Sequence, residues 1–410
     1  MATPRRSKTA ATKQISDATA LRVVMEMMAI PGRSGEESAV MDFIRSALLA
    51  AGVPTRAIAM DDCHRRSPIG GQLGNMVLKL PGTIRGPRRM LAAHVDTVPI
   101  CIGSRPLRKG GRVVSANKAT GLGGDDRAGA AVLLTTALAI LNANLPRPPL
   151  TFLWTVEEEA GLLGARHARV SRLGKPRLAF NFDGGSPAVL KIGATGGYRM
   201  TIDVRGIASH AGNHPEEGVS AIAIASLAVS DLVKSGWHGL VVKDGRAGTS
   251  NVGVIHGGEA TNVVTDRVQI RAEARSHDAK FRGRIVKEIR GAFQRAAGSV
   301  GNTTGQVGRV QFEGRLDYES FRLSPYEPCV AAARAALEAE GLEADLAVTN
   351  GGLDANWLTA HGIPTVTLGC GQRNIHTVRE ELDIAEFQLA RRIALRLATA
   401  VGSAERLNQS

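Results

Sequence analysis

Five short polar clusters hold most of the candidate chemistry in this chain: His94-Val95-Asp96, Gly124-Asp125-Asp126, Glu157-Glu158-Glu159, Asp183-Gly184-Gly185 and Ile375-His376-Thr377. Each follows an apolar run or opens a turn, and together they supply two histidines and a crowd of carboxylates. Carboxylates gathered into one pocket repel one another and need a compensating cation. Histidine with aspartate and glutamate, and no cysteine, is the donor chemistry of Zn²⁺, Mn²⁺ or Co²⁺ in a hydrolytic site. The set therefore points to a metal-dependent hydrolase.

Each cluster also has an ordinary reading. His94 and Asp96 leave the same side of an extended segment, because side chains alternate with period two, so the carboxylate can orient the ring; a core histidine satisfied by its neighbour looks the same. Asp125-Asp126 follows a glycine-rich turn and precedes a helix, where a carboxylate either bridges cations or caps the helix and complements its dipole. Glu157–Glu159 directly follow an apolar strand, so one glutamate can bind metal and its neighbour can serve as general base; a solvated acidic turn is the alternative. Asp183-Gly184 is a common turn pair, and His376 lies in a polar loop. Their shared location is what draws them together.

That location follows from the elements. The segment 18–51 has helical apolar spacing broken at Pro31-Gly32, giving two helices. Strands are expected at 75–80, 90–93, 150–156, 178–182 and 364–368, and helices at 128–142 and 326–341. Strands alternating with helices predict an α/β fold, a mostly parallel sheet with helices on both faces. Functional groups in such sheets collect beyond the carboxyl ends of the strands, where the clusters fall. From about 195 the texture changes to period-two alternation at 198–204, 252–256 and 268–275, with helices at 219–235 and 278–297. This is a smaller antiparallel α+β insert with one face covered by helices. The expected division is a disordered basic tail over 1–17, a catalytic domain built from 18–194 and 317–410, and the insert over 195–316.

Composition sets further bounds. A chain of 410 residues is long for one core. The formal charge of +13 suggests an anionic partner, but Lys and Arg are scattered and only 3 Trp and 3 Tyr are present for base stacking, which argues against nucleic acid. No apolar run approaches the ~18 residues of a membrane span. The N-terminal residues are basic and lack the apolar core of a secretory signal. Cys63, Cys101, Cys329 and Cys370 are far apart and form no CxxC, which fits a reduced, cytoplasmic setting.

The stretches AAHVDTVP, GLGGDDRAGAAVLL, TVEEEAGLLGA, FDGG, ASHAGNHPEEGVSAI, TNVVTDRVQIRAEARSHD, GGLDANWLTAHGIPTV and NIHTVREE, in this order, resemble the M20 family of metallopeptidases, most of all its peptidase T branch of tripeptide aminopeptidases. The resemblance runs from about residue 20 to 400. It implies a co-catalytic pair of divalent ions, usually zinc, with cobalt or manganese as alternatives. It implies His94, Asp125, Glu159, Asp183 and His376 as ligands, with Asp125 shared between the ions and its peptide to Asp126 cis. It implies Asp96 as the residue orienting His94 and Glu158 as the general base. The insert would be a lid carrying a homodimer contact. His210 would polarise the scissile carbonyl, and Asn262, Arg275 and Gly352 would contact a short peptide substrate. Arg127 stands where Lys is usual and Leu353 where Ser or Thr is usual; the second difference touches substrate choice. A carboxypeptidase or an N-acyl-amino-acid amidohydrolase of the same family is the alternative within this chemistry, and a catalytically inactive metal-binding module the alternative outside it.

Overall fold

The computed structural model describes residues 15–399; most of the expected basic tail, 1–14, and residues 400–410 lie outside the described residues. Ile15 and Ser16 lead into the first helix, Asp17–Ala29, whose N-terminus Ser16 caps by accepting the Thr19 N–H at 3.1 Å. The chain divides into two compact units. One comprises the chain through Ile192, Leu323–Ala347 and the chain from Leu353; the other comprises Gly193–Arg322 and Val348–Gly352.

The first unit is built on a mixed sheet. Its centre has the order Leu150–Thr155, Arg89–His94, Leu178–Phe182, Thr365–Leu368, paired in parallel throughout. Met76–Leu80 and Ile58–Met60 add antiparallel strands beyond Leu150–Thr155, and Leu190 and Lys191 pair antiparallel with Thr365–Leu368 at the other side. Every residue of Leu150–Thr155 and Arg89–His94 is buried, as parallel strands covered on both faces require. Leu358, Ile363 and Leu173 close one face over Val77, Met90, Leu153 and Ala179. Helices Gly124–Ala143 and Ile384–Thr399 pack together with Arg89–His94, and Arg89 Nη1 donates to the Leu397 carbonyl at 2.6 Å.

Helix Gly124–Ala143 is buried on nearly every side, which explains its continuous Ala, Val and Leu sequence. A Cβ at Gly129 would lie 2.2 Å from the Phe182 carbonyl. Glycine there lets the helix run against the end of the strand that carries Asp183, and so brings Asp125 and Asp126 to it. A small antiparallel sheet, unforeseen in the sequence, pairs Pro106–Lys109, Arg112–Ser115, Glu381–Asp383 and Gln372–Arg373. The loop with His376 joins its last two strands in the chain.

The second unit is a five-stranded antiparallel sheet of order Gly239–Lys243, Arg246–Gly257, Arg267–Ser276, Gly196–Arg205, Arg309–Tyr318. Helices Ala221–Lys234 and Ala279–Ser299 cover one face, with Met200, Ile202, Val204, Ile270, Phe281 and Phe293 in the core between. The insert is expected to end near 316 and no strand is expected there, but its last strand continues to Tyr318 across a bulge between Leu316 and Tyr318. The extra residue breaks the period of two that marks a strand in sequence. Tyr318 then packs on Gly352, where a Cβ would lie 2.7 Å from its ring; residues 348–352 thus belong with this unit rather than with the first. Among the described residues no helix is long and apolar enough to cross a membrane.

Candidate metal centre and active site

His94 is the last residue of its strand and is 2 % exposed. Its Nδ1 lies 3.3 Å from Asp96 Oδ1, and its Nε2 lies 3.5 Å from Asp125 Oδ1. The fully buried Asp96 is fixed in turn: it accepts from Ser34 Oγ at 2.7 Å, from the Glu158 N–H at 2.9 Å and from the Glu159 N–H at 3.1 Å. One carboxylate therefore sets the His94 ring and the turn of consecutive glutamates together. The peptide bond Asp125-Asp126 is cis.

Asp125 lies at the centre. Its Oδ2 is 3.3 Å from His376 Nε2, and the same ring nitrogen is 2.8 Å from Glu159 Oε1. Asp183, just past its strand, approaches the Asp125 carboxylate as well. Donor atoms of His94, Asp125 and Glu159 lie within 4.8 Å of one another, and so do those of His94, Asp126 and Asp183. The structure thus brings together His94, Asp96, Asp125, Glu158, Glu159, Asp183 and His376. Asp126 joins them, a residue the sequence reading named beside Asp125 but did not assign as a ligand. Its Oδ1 accepts from Gly129 N–H at 2.9 Å and Gln372 Nε2 at 2.8 Å, while its Oδ2 is buried without a hydrogen bond.

The electrostatics describe a site short of positive charge. Burial alone would lower the His94 ring, but bonds to Asp125 and Asp96 hold it well above the usual histidine range. Bonds to Asp125 and Glu159 raise His376 to about 10. Burial lifts the carboxyls of Glu158, Asp126 and Asp183, and lifts those of Glu159 and Asp354 to about 7. Carboxylates crowded this closely call for a compensating cation, and nitrogen and oxygen donors at these separations suit a transition-metal dication.

Other buried groups have no site role in the sequence reading, although Arg127 is noted there as a departure from the usual Lys. Asp354 opens the helix Asp354–Ala360 and accepts from Thr155 Oγ1. Arg127, fully buried, donates to the carbonyls of Gly32 and Met27 rather than to a carboxylate. Glu37, also fully buried, accepts N–H bonds from Gly35 at 2.8 Å and Glu157 at 3.1 Å. Burial and the nearby Asp96 raise its carboxyl to about 8. Between the unfolded value near 4.5 and about 8 the folded state therefore holds a proton that the unfolded state has lost, so stability falls as pH rises through that window. In metal-free protein, Glu37→Gln keeps an acceptor for both N–H groups and removes this penalty. Its thermal midpoint should match the wild type near pH 4.5 and exceed it near pH 8, by an advantage of roughly 1–3 kcal/mol. Parallel melting curves across that range would refute the assignment.

The remaining expected residues lie in the second unit. His210 pairs with Val263 in an isolated bridge, and its Nδ1 accepts the N–H groups of Gly212 and Asn213, each at 3.1 Å. The neutral ring then carries its proton on Nε2. The Asn262 carbonyl accepts from the Ala211 N–H at 2.9 Å. Arg275 is engaged within its own strand by both Glu273 oxygens at 3.0 Å. Gly352 lies beneath the Tyr318 ring, a packing reason for glycine that is independent of substrate.

The profile of "Peptidase family M20/M25/M40" matches residues 90–400. Among solved structures, a tripeptidase from Staphylococcus aureus subsp. aureus Mu50 superposes with a TM-score of 0.83 at 30 % identity, covering 94 % of this chain and 99 % of its own. Aminopeptidase PepT from Bacillus cereus ATCC 10987 superposes with a TM-score of 0.79 at 30 % identity, covering 94 % and 98 %. Among curated sequences, the protein YqjE of Bacillus subtilis strain 168, whose function is uncharacterised, is 30 % identical over 374 residues, 91 % of this chain and 95 % of its own.

Proposed function

Because the chain belongs to peptidase family M20/M25/M40 and is a metallopeptidase, we propose that it is an aminopeptidase of short peptides, cleaving unblocked tripeptides with the help of two divalent ions, zinc by preference. The observation that carries this reading is the convergence of His94 and His376 on the Asp125 carboxylate, with Glu159 on His376 and Glu158 buried nearby. His94, Asp125, Glu159, Asp183 and His376 would hold the ions, and Asp126 Oδ2 is a further donor in reach. When bound, the ions supply Lewis-acid polarisation of the scissile carbonyl and make water acidic enough to ionise near neutral pH.

The chain's own residues do the rest. Asp96 keeps the His94 ring turned so that Nε2 points toward Asp125. Glu158 takes a proton from the attacking water and returns it to the departing amine. His210, carrying its proton on Nε2, donates to the developing oxyanion. In this reading the second unit is a lid, with Asn262, Arg275 and Gly352 meeting the substrate. It is also the surface for a homodimer, since the edge strand Gly239–Lys243 exposes Leu240 at 74 % and Val242 at 58 % and an open apolar edge invites pairing. The free, buried Cys63, Cys101, Cys329 and Cys370 suit the cytoplasm.

The deciding experiment is metal analysis of the purified protein, followed by assay on dipeptides, tripeptides, N-blocked tripeptides and N-acyl amino acids. Cleavage of free tripeptides with release of the N-terminal residue, and silence on the blocked ones, is expected. Preference for N-acyl amino acids would replace the aminopeptidase reading with an amidohydrolase, release of the C-terminal residue from blocked peptides would replace it with a carboxypeptidase, and bound metal with no turnover would make the chain a binding module.

A further inference from the structure

Glu380 lies in the run Arg379-Glu380-Glu381, which reads in sequence as exposed charge, yet it is only 2 % exposed. Its carboxylate faces the glycine-rich turn before helix Gly124–Ala143, more than two hundred residues away in the chain. Oε2 accepts the N–H groups of Leu122 at 2.8 Å and Gly123 at 2.7 Å, and Oε1 accepts the N–H of Asp125 at 3.0 Å. Cys101 Sγ lies 3.5 Å from Oε2. No arginine or lysine pairs with this carboxylate among the described residues; its compensation comes from backbone dipoles, the arrangement that forms an anion-binding nest. The turn cannot satisfy these N–H groups itself, because Gly123 is left-handed at φ 79° and Asp125 and Asp126 leave the helical conformation.

The position of Glu380 gives the contact a purpose. It follows His376 by four residues, on the polar side of the loop that joins Gln372–Arg373 to Glu381–Asp383. The strand that leads into this loop sends Gln372 Nε2 to Asp126 Oδ1 at 2.8 Å. The turn bearing Asp125 and the loop bearing His376 are thus joined at two points, and His376 Nε2 meets Asp125 Oδ2 between them at 3.3 Å.

We propose that Glu380 is a positioning residue: its carboxylate grips the backbone of the Leu122–Asp125 turn and holds the Asp125 carboxylate in register with His376, so that affinity for the metal ions depends on a side chain that does not touch them. This rests on the reading of Asp125 and His376 as ligands. Glutamine at 380 keeps one acceptor oxygen and turns an amide donor toward the N–H groups; alanine removes both acceptors. Metal affinity, measured by chelator competition on folded metal-free protein, should fall in the order wild type, Glu380→Gln, Glu380→Ala, with about a 10-fold loss for the glutamine variant, the scale of other partners that orient metal ligands. For Glu380→Gln at saturating metal, kcat should drop several-fold with KM unchanged. A variant that melts earlier but binds metal and turns over like the wild type would overturn the proposal. Hydrogen exchange on the wild-type, metal-free protein tests the grip even where a variant fails to fold. The amides of Leu122, Gly123 and Asp125 should be protected, and exchange near the rate of an open loop would refute it. A wild type that binds no metal yet protects those amides would overturn the ligand assignment while leaving the grip standing.

Discussion

Glutamine in place of Glu158 is expected to lower kcat on a free tripeptide by about 10³-fold, within the range measured for loss of a positioned general base, with the metal content unchanged. Glu158 is 9 % exposed, and its N–H is anchored on Asp96 Oδ1 at 2.9 Å. Burial raises its carboxyl well above the usual range, and the charges of Asp183, Glu159 and Asp354 raise it further. Bound dications would lower it again, since nearby positive charge favours the carboxylate that acts as the base. Glutamine has the same shape and leaves the donors of His94, Asp125 and Glu159 in place. A loss of kcat with unchanged metal and little change in KM therefore isolates the proton transfer. Near-normal turnover in Glu158→Gln would remove Glu158 from the mechanism, and loss of metal would make it a ligand instead.

Alanine in place of Asp125 is expected to abolish metal binding and activity together. Burial alone would raise this carboxyl, but bonds from His376 and His94 hold it below the usual range, which marks it as the anion the others gather around. Two measurements follow from one cause. In the wild type, ions at a thousandfold their dissociation constant stabilise the fold by about 4 kcal/mol per site, and this shift should be missing in Asp125→Ala. In the presence of chelator that shift is absent from both proteins, and the variant should melt no later than the wild type, because the bonds from His376 and His94 that depress the Asp125 carboxyl stabilise the fold and are lost with it. If Asp125→Ala still takes up its full complement of ions and melts later on their addition, the shared-ligand assignment fails.

The sequence made the main architecture plain where one physical signal dominated. Leu150–Thr155 and Arg89–His94 are buried throughout because both faces are covered, so their interiors are mostly apolar and the charged residues collect at their ends. That is why His94, Glu157–Glu159 and Asp183 could be placed in the crevice from pattern alone. In the second unit, Met200, Ile202 and Val204 alternate with polar residues because only one face is covered. The rest depended on contacts between distant segments. The four-residue strands Pro106–Lys109 and Arg112–Ser115 are short, half polar and carry no periodic signal. Asp126 was hidden by its neighbour, since two adjacent aspartates read as one ligand or one cap. Asp354, Glu37 and Glu380 are acidic residues whose burial depends on backbone N–H groups or a hydroxyl contributed from elsewhere. Local sequence does not reveal such partners.

The insertion of one unit within the other bears on how the protein is born. His94 and His376 flank the whole of the second unit, and a ribosome adding roughly 5–20 residues per second needs on the order of half a minute to travel from one to the other. The strand Thr365–Leu368 and the helix whose Leu397 carbonyl receives Arg89 emerge later than nearly everything they support. If His94 and His376 share one metal centre, as proposed, that centre stays unfinished throughout the interval and is completed only after the second unit has been made.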